Sequence, residues 1–148
     1  MGLRVEQRTP ESMHDYRLEL FHAILLEDGL VMHKASPPTH MFVGYILDTI
    51  VGMSEASIKE SNGKYFPHKY GEISYYVHPT QRGHQYGETL MDHVIHFVYI
   101  EMKLPVTASV LGGSYSEWLL LTRGFVDYSK AIFGNLPTQN RYLMKKRS

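Results

Sequence analysis

The chain has no cysteine. That removes a disulfide framework, a thiolate metal site and a cysteine nucleophile together. It has no net charge either, fifteen Lys and Arg balancing fifteen Asp and Glu. A chain without a positive field is poorly suited to neutralising a phosphate backbone, so no nucleic-acid partner is expected. Long apolar runs are missing. Stretches such as Ala23-Ile24-Leu25-Leu26 are far too short to span a bilayer, so no membrane partner is expected. Residues 1–10 carry Arg4, Glu6 and Arg8 without an apolar stretch, unlike a secretory leader, and Glu6 stands where a myristoylation motif needs Ser or Thr. A cytoplasmic chain is the expectation. Internal repeats, low-complexity tracts and linkers are absent, so the 148 residues read as one domain, 1–148.

What is present is a regular alternation of short elements. Residues 3–9 alternate as a strand, with Thr9-Pro10 opening a helix to about residue 27, Thr9 as cap and Pro10 in its first turn. Asp28-Gly29 ends that helix. Residues 41–47 and 50–58 are apolar runs at hairpin spacing around Asp48-Thr49. Residues 72–78 form a strand stopped by Pro79, residues 87–102 an amphipathic helix and residues 105–111 a strand. Residues 114–123 form a second short helix closed by Gly124. The strand candidates 125–133 and 140–145 follow, joined through residues 134–137. Parallel pairing around the helix and antiparallel pairing in the hairpin predict an α/β (α+β) fold with a mixed sheet and helices on its faces.

The stretch with chemical content runs from Tyr75 to Gly87: a strand, a proline stop, Arg82-Gly83, then a helix start. A helix N-terminus presents unpaired N–H groups and a partial positive charge, which suits phosphate. Gly83 and Gly87 permit positive φ and close backbone approach, and Arg82 adds a fixed cation. The stretch is neither a P-loop nor a dinucleotide fingerprint, because it has no Gly-Lys-Ser/Thr and lacks three glycines at the required spacing.

This segment resembles motif A of the GNAT superfamily of acyl-CoA-dependent N-acyltransferases. Val77, Pro79, Arg82, Gly83 and Gly87 match, and Gln85 stands where the family usually has glycine. The helix 114–123 followed by Gly124-Phe125 is similar to a second family signature, and the element order fits along nearly the whole chain. The resemblance implies a mostly antiparallel sheet with helices on both faces and central strands that splay, one ending at His78, the other at 105–111. It implies acetyl-CoA as co-substrate, its pantetheine arm pairing with the backbone of Tyr75, Tyr76 and Val77. Its diphosphate would rest on Arg82 and the amides of Gly83, His84, Gln85, Tyr86, Gly87 and Glu88. The implied activity is N-acetyl transfer to a primary amine, on a small molecule or a protein, by direct attack.

Two family positions differ. Leu120 stands where many members carry a tyrosine that protonates the departing thiolate, and Gly113 where an asparagine is frequent. Tyr115 is the nearby hydroxyl, out of register. A thiol of pKa about 8.5 leaves tolerably without full protonation, and placing amine beside thioester alone can supply roughly 7–11 kcal/mol. For the base that takes the ammonium proton, Glu72 is the first candidate, directly or through water, and Glu55 the second. Glu72, Ser74, Tyr76 and His78 share a strand face by period two. The alternative function is a GNAT-fold binding or structural protein without turnover, suggested by Leu120, Gly113 and Gln85.

His93 and His96 fall near one helix face without a third ligand, so no metal is expected. The 145–147 basic tail reads as a solvated end, and Trp118, Leu119 and Leu121 as core. The acceptor pocket maps by resemblance to residues 30–40, 60–70 and 133–140, aromatic rather than acidic in the middle segment. Beyond coenzyme and amine, a second copy of the chain is the one further partner kept open.

Overall fold

The described residues form seven strands and four α-helices. The computed structural model describes residues 2–28, 37–134 and 139–147. In order these are β1 (Arg4–Arg8), α1 (His14–Asp28), β2 (His40–Ile46), β3 (Thr49–Glu60), β4 (Lys69–Val77), α2 (Tyr86–Ile95), β5 (Val106–Leu111), α3 (Tyr115–Leu121), β6 (Val126–Asp127), α4 (Ser129–Phe133) and β7 (Asn140–Lys145). The strands form one mixed sheet in the order β1-β2-β3-β4-β5-β7-β6. It is mostly antiparallel, as expected; β4 with β5 is the parallel pair. The chain divides into two compact units, Met1–Ser57 with Ser74–Val94, and Ile58–Ile73 with Ile95–Ser148.

In the first unit β1 pairs antiparallel with β2, and β2 with β3. Met13 of the preceding turn and Tyr16, Arg17, Leu20, Phe21 and Ile24 of α1 recur at three- and four-residue steps, which is one helix face. Leu20 and Ile24 pack with Met41, Val43, Tyr45 and Met53 of the strands. α1 is preceded by a 3₁₀ turn, Glu11–Met13, with Pro10 rather than Thr9 at the cap and no side-chain cap bond; Thr9 supplies its carbonyl to Ser12 instead. The hairpin turn is one residue earlier than the pattern suggests. Ile46 pairs with Thr49, so Leu47 and Asp48 are the turn, and Leu47 takes φ 53°.

In the second unit β5 runs antiparallel to β7, from Val106 opposite Lys145 to Leu111 opposite Asn140. The parallel ladder of β4 on β5 holds two registered pairs, Gly71 with Val106 and Glu72 with Thr107. Buried Val106, Ala108, Leu119, Leu120, Phe125, Leu143 and Met144 form the apolar interior. After α2 the backbone loosens into a π-helical stretch, His96–Glu101, where Met102 N–H donates to the carbonyl of Phe97. Val98 there is fully buried, and a Cβ on Gly71 would lie 2.5 Å from its Cγ1. Glycine at 71 lets this segment sit directly on β4.

Two expectations fail here for physical reasons. Residues 125–133 are a two-residue strand and then α4, because Asp127 Oδ1 accepts the Ser129 N–H at 2.8 Å and turns the chain into a helix. Trp118 and Leu121 are exposed, whereas Leu119 and Leu120 are buried; on a helix of seven residues only one side faces inward. The basic tail is solvated at Lys146 and Arg147, as expected, and also lies on aromatic faces: Lys145 Nζ and the Arg147 guanidinium are each 4.6 Å from the Tyr99 ring centroid, and Lys146 Nζ 4.7 Å from that of Tyr128.

Candidate functional site

The segment after β4 is built by local rules. His78 is extended (φ −56°, ψ 136°) and its Nδ1 accepts the Thr80 N–H at 3.2 Å, capping a 3₁₀ turn of Pro79–Gln81. Pro79 suits the first position because it has no N–H to strand there. The His78 N–H donates to the Val51 carbonyl at 2.9 Å, which ties the turn to β3. Arg82 then runs extended (φ −76°, ψ 162°). Gly83 at φ 88° and Gln85 at φ 64° both enter the left-handed region before α2 begins at Tyr86.

Alternation of this kind turns successive N–H groups toward one concavity. Among the described residues, no hydrogen bond is donated by the amides of Gly83, His84, Gln85, Tyr86 or Gly87; the first turn of a helix has no internal acceptor for them. The Thr89 N–H is the one that closes on the Gln85 carbonyl, at 3.3 Å. Residues 82–85 are exposed and Tyr86, Gly87 and Glu88 half-buried, with Glu88 in the first turn of α2. A Cβ on Gly83 would meet nothing within 4 Å, while one on Gly87 would lie 2.5 Å from Tyr75 Cε2. Gly83 is therefore set by its backbone angle, and Gly87 by the close seat of α2 on the Tyr75 ring. The His84 and Tyr86 rings stack beside the turn, 5.2 Å between centroids. A diphosphate fits this donor set: a row of backbone amides, a helix N-terminus and the Arg82 guanidinium. Tyr75, Tyr76 and Val77 form the end of β4, beyond Gly71 and Glu72 where the ladder with β5 is registered. Tyr76 packs edge-on to Phe21 at 4.7 Å.

The two carboxylates lie in different surroundings. Glu55 on β3 is 2% exposed, and Arg17 of α1 grips both its oxygens, Nε on Oε2 and Nη2 on Oε1, the latter at 3.2 Å. The same guanidinium lies 4.6 Å from the Phe21 ring centroid. Glu72 on β4 is half-buried and its Oε1 accepts from Lys59 Nζ at 3.2 Å. Tyr70 and Glu72 share one strand face. Phe66 stacks on Tyr70 at 5.2 Å and meets Tyr142 at 6.2 Å, and Phe133 meets Tyr142 at 5.3 Å. Burial pushes the Tyr70 hydroxyl above its usual value; the Lys59 charge opposes this, and Glu72 and Tyr142 add to it.

Tyr115 begins α3 behind Ser114, whose Oγ accepts the Glu117 N–H at 3.2 Å. The Tyr115 ring is exposed and tilted against Trp118 at 5.5 Å. Leu120, at the family's tyrosine position, is fully buried. The Gly113 N–H donates to Glu117 Oε1 at 3.2 Å. Of the acceptor segments, residues 30–36 and 135–138 lie outside the described residues. Among the described residues no three His, Cys, Asp or Glu gather where a metal ion would need them, and no helix is long and apolar enough to cross a membrane. Sequence reasoning missed Arg17 and Lys59, and had Tyr70 only in the aromatic acceptor segment 60–70 rather than on β4. Only alternation along β3 and β4 hinted at the last two, and nothing local pointed to Arg17.

Comparison with known proteins bears on the family and the fold. The model of the Acetyltransferase (GNAT) family matches residues 5–103. Among solved structures, yncA from Salmonella typhimurium, determined with its cofactor acetyl-CoA, is 13% identical and superposes with a TM-score of 0.71 over 99% of this chain and 94% of that one. The ribosomal-protein-alanine N-acetyltransferase of Brucella melitensis is 18% identical, with a TM-score of 0.70 over 97% and 99%. The PaiA N-acetyltransferase of Thermoplasma acidophilum, in complex with coenzyme A, is 11% identical, with a TM-score of 0.64 over 99% and 100%. At these identities the likeness is one of fold. No curated protein matches.

Proposed function

The chain belongs to the GNAT acetyltransferase family, and on that premise we propose that it moves an acetyl group from acetyl-CoA to a primary amine by direct attack. The observation that carries this reading is the row of undonated amides from Gly83 to Gly87 at the start of α2. Those amides and Arg82 hold the diphosphate of the coenzyme. The backbone of Tyr75, Tyr76 and Val77 pairs with the pantetheine arm as an added strand would, and an N–H near Val77 polarises the thioester carbonyl. The coenzyme supplies an acetyl group activated as a thioester.

Glu72 is the base of this proposal. It is half-buried, and one oxygen takes a single bond from Lys59, so the other has room for a proton. Glu55 keeps both oxygens on Arg17, and its part is to hold α1 against β3. Tyr115, the exposed hydroxyl at the start of α3, is the candidate acid for the departing thiolate. Transfer without an acid relies on the low basicity of the thiolate and on the placement of amine beside thioester. A second reading, a fold that binds coenzyme without turnover, is favoured by Leu120, which fills the acid's position with buried apolar bulk.

Titration calorimetry with acetyl-CoA tests the binding step. Heat of binding and a raised melting temperature are expected; neither at millimolar ligand would remove the proposal. Release of coenzyme A over a panel of small amines and peptide N-termini separates the two readings: steady release supports transfer, and binding without release supports the inert fold.

A further inference from the structure

Two side-chain hydroxyls are buried without a hydrogen-bond partner among the described residues: Ser54 Oγ and Thr107 Oγ1. Ser54 alternates with Glu55 on β3 and so points to the opposite face. Thr107 is placed differently. It is the registered partner of Glu72 in the second of the two β4–β5 pairs. Registered partners stand about 4.8 Å apart and project to the same face of a sheet. Thr107 is 2% exposed.

The neighbours share that face by period two. Tyr70 is two residues from Glu72, and Tyr142 is opposite Ser109, two residues from Thr107. Their rings, joined through Phe66, wall the face with apolar surface. A buried hydroxyl in such surroundings needs a partner, because an unpaired one is costly. The residue registered opposite it on β4 is Glu72, whose carboxylate is not fully used. Oε1 accepts from Lys59, and no bond to Oε2 is found among the described residues. One water molecule between hydroxyl and carboxylate meets both needs, and buried waters settle where several polar partners converge.

We infer that Thr107 is a positioning residue for proton removal, holding a water against the Glu72 carboxylate. The inference rests on the acyl-transfer reading. The acceptor ammonium gives one proton to this water, and the water gives one to Glu72 Oε2. The products are a neutral amine, a carboxylic acid and the same water, with no other reactant required. Thr107 touches neither amine nor thioester; its hydroxyl fixes where the water stands, and the ring wall keeps bulk solvent from competing.

The test compares the full-length protein with Thr107→Val, which keeps the shape and removes the hydroxyl, and Thr107→Ser, which keeps the hydroxyl. A high-resolution crystal structure is expected to show a water within hydrogen-bond reach of Thr107 Oγ1 and the Glu72 carboxylate in wild type and Thr107→Ser, and none in Thr107→Val. In steady state, Thr107→Val is expected to lower kcat about tenfold, the worth of one hydrogen bond, with KM for acetyl-CoA unchanged and the pH–rate profile displaced; Thr107→Ser restores both. Thermal melting verifies that both variants are folded. A wild-type crystal with Thr107 Oγ1 bonded only to protein, or a Thr107→Val variant with wild-type kcat and profile, overturns the inference. Absence of turnover in wild type instead overturns the acyl-transfer reading and the proton step with it; the crystallographic water then decides the hydroxyl's role alone, its presence supporting that role and its absence ending it.

Discussion

Glu55 and Glu72 are both strand carboxylates with a cationic partner, and the sequence offers little to rank them. In the first unit Glu55 and Arg17 are each about 3% exposed and joined by two bonds. In the second, Glu72 is 26% exposed, Lys59 46%, and they share one bond. The contrast teaches that a charged pair serves structure or chemistry according to what surrounds it. A buried pair of this kind holds both carboxylate oxygens, and protonating the carboxylate would take the counter-charge from a guanidinium kept out of water. A half-exposed single bond costs little to break, which is what a proton acceptor in turnover requires.

The largest expected effect breaks the first pair. Glu55→Leu takes the carboxylate away from the buried Arg17 guanidinium, and should cost about 3–5 kcal/mol in urea denaturation. The double variant Arg17→Met, Glu55→Leu should recover most of it, because an apolar pair has no desolvation to repay. Glu72→Gln should behave oppositely, with stability within about 1 kcal/mol of wild type and kcat/KM for the amine lower by about 10²–10⁴. Equal stability losses from the two single variants would erase the distinction.

A smaller effect tests the cradle. Gly87→Ala puts a methyl 2.5 Å from Tyr75 Cε2, so α2 or the ring must shift, at about 1–3 kcal/mol. Weaker acetyl-CoA binding by calorimetry should accompany the loss. Gln85→Gly goes the other way. It relieves a left-handed φ of 64°, which costs a side-chain residue about 1–2 kcal/mol, and part of that should appear as a higher melting temperature with coenzyme affinity kept or tightened.

The sheet and the cradle were legible because their signals are local. His78-Pro79 stops a strand, Arg82-Gly83 makes a turn, and Leu90, Met91 and Val94 announce a helix within a few residues. Gln85 stands where the resemblance expects glycine, and it has the positive φ. What escaped notice was non-local or subtle. Arg17 and Glu55 are 38 residues apart, so no spacing rule joins them. Thr107 reads as an ordinary β-branched strand residue until register sets it beside Glu72. The strand expected over 125–133 gave way to a helix because one Asp-to-amide bond at 127 outweighs a run of residues with mild β preference.

Asp127 supplies the smallest test and a third case for the comparison. Burial alone would raise its pKa, but hydrogen bonds from Ser129, side chain and backbone, and the Arg141 charge prevail and hold its carboxyl below the ordinary 3.8. Hydrogen bonds favour the ionised form here, so the folded protein binds the proton less readily than the unfolded chain. The stability this provides is fully present above about pH 4 and is lost as pH falls through the folded pKa. Melting temperature followed from pH 7 to pH 2 should show Asp127→Asn less stable than wild type at neutral pH, with the gap closing toward pH 2. Arg141 lies 3.7 Å from Asp127 Oδ2 and is itself half-exposed, so salt should narrow the gap only slightly if the Ser129 bonds are its main source. A gap that salt abolishes would assign Asp127 to its ion pair, and would place it with Glu72 rather than between the two glutamates.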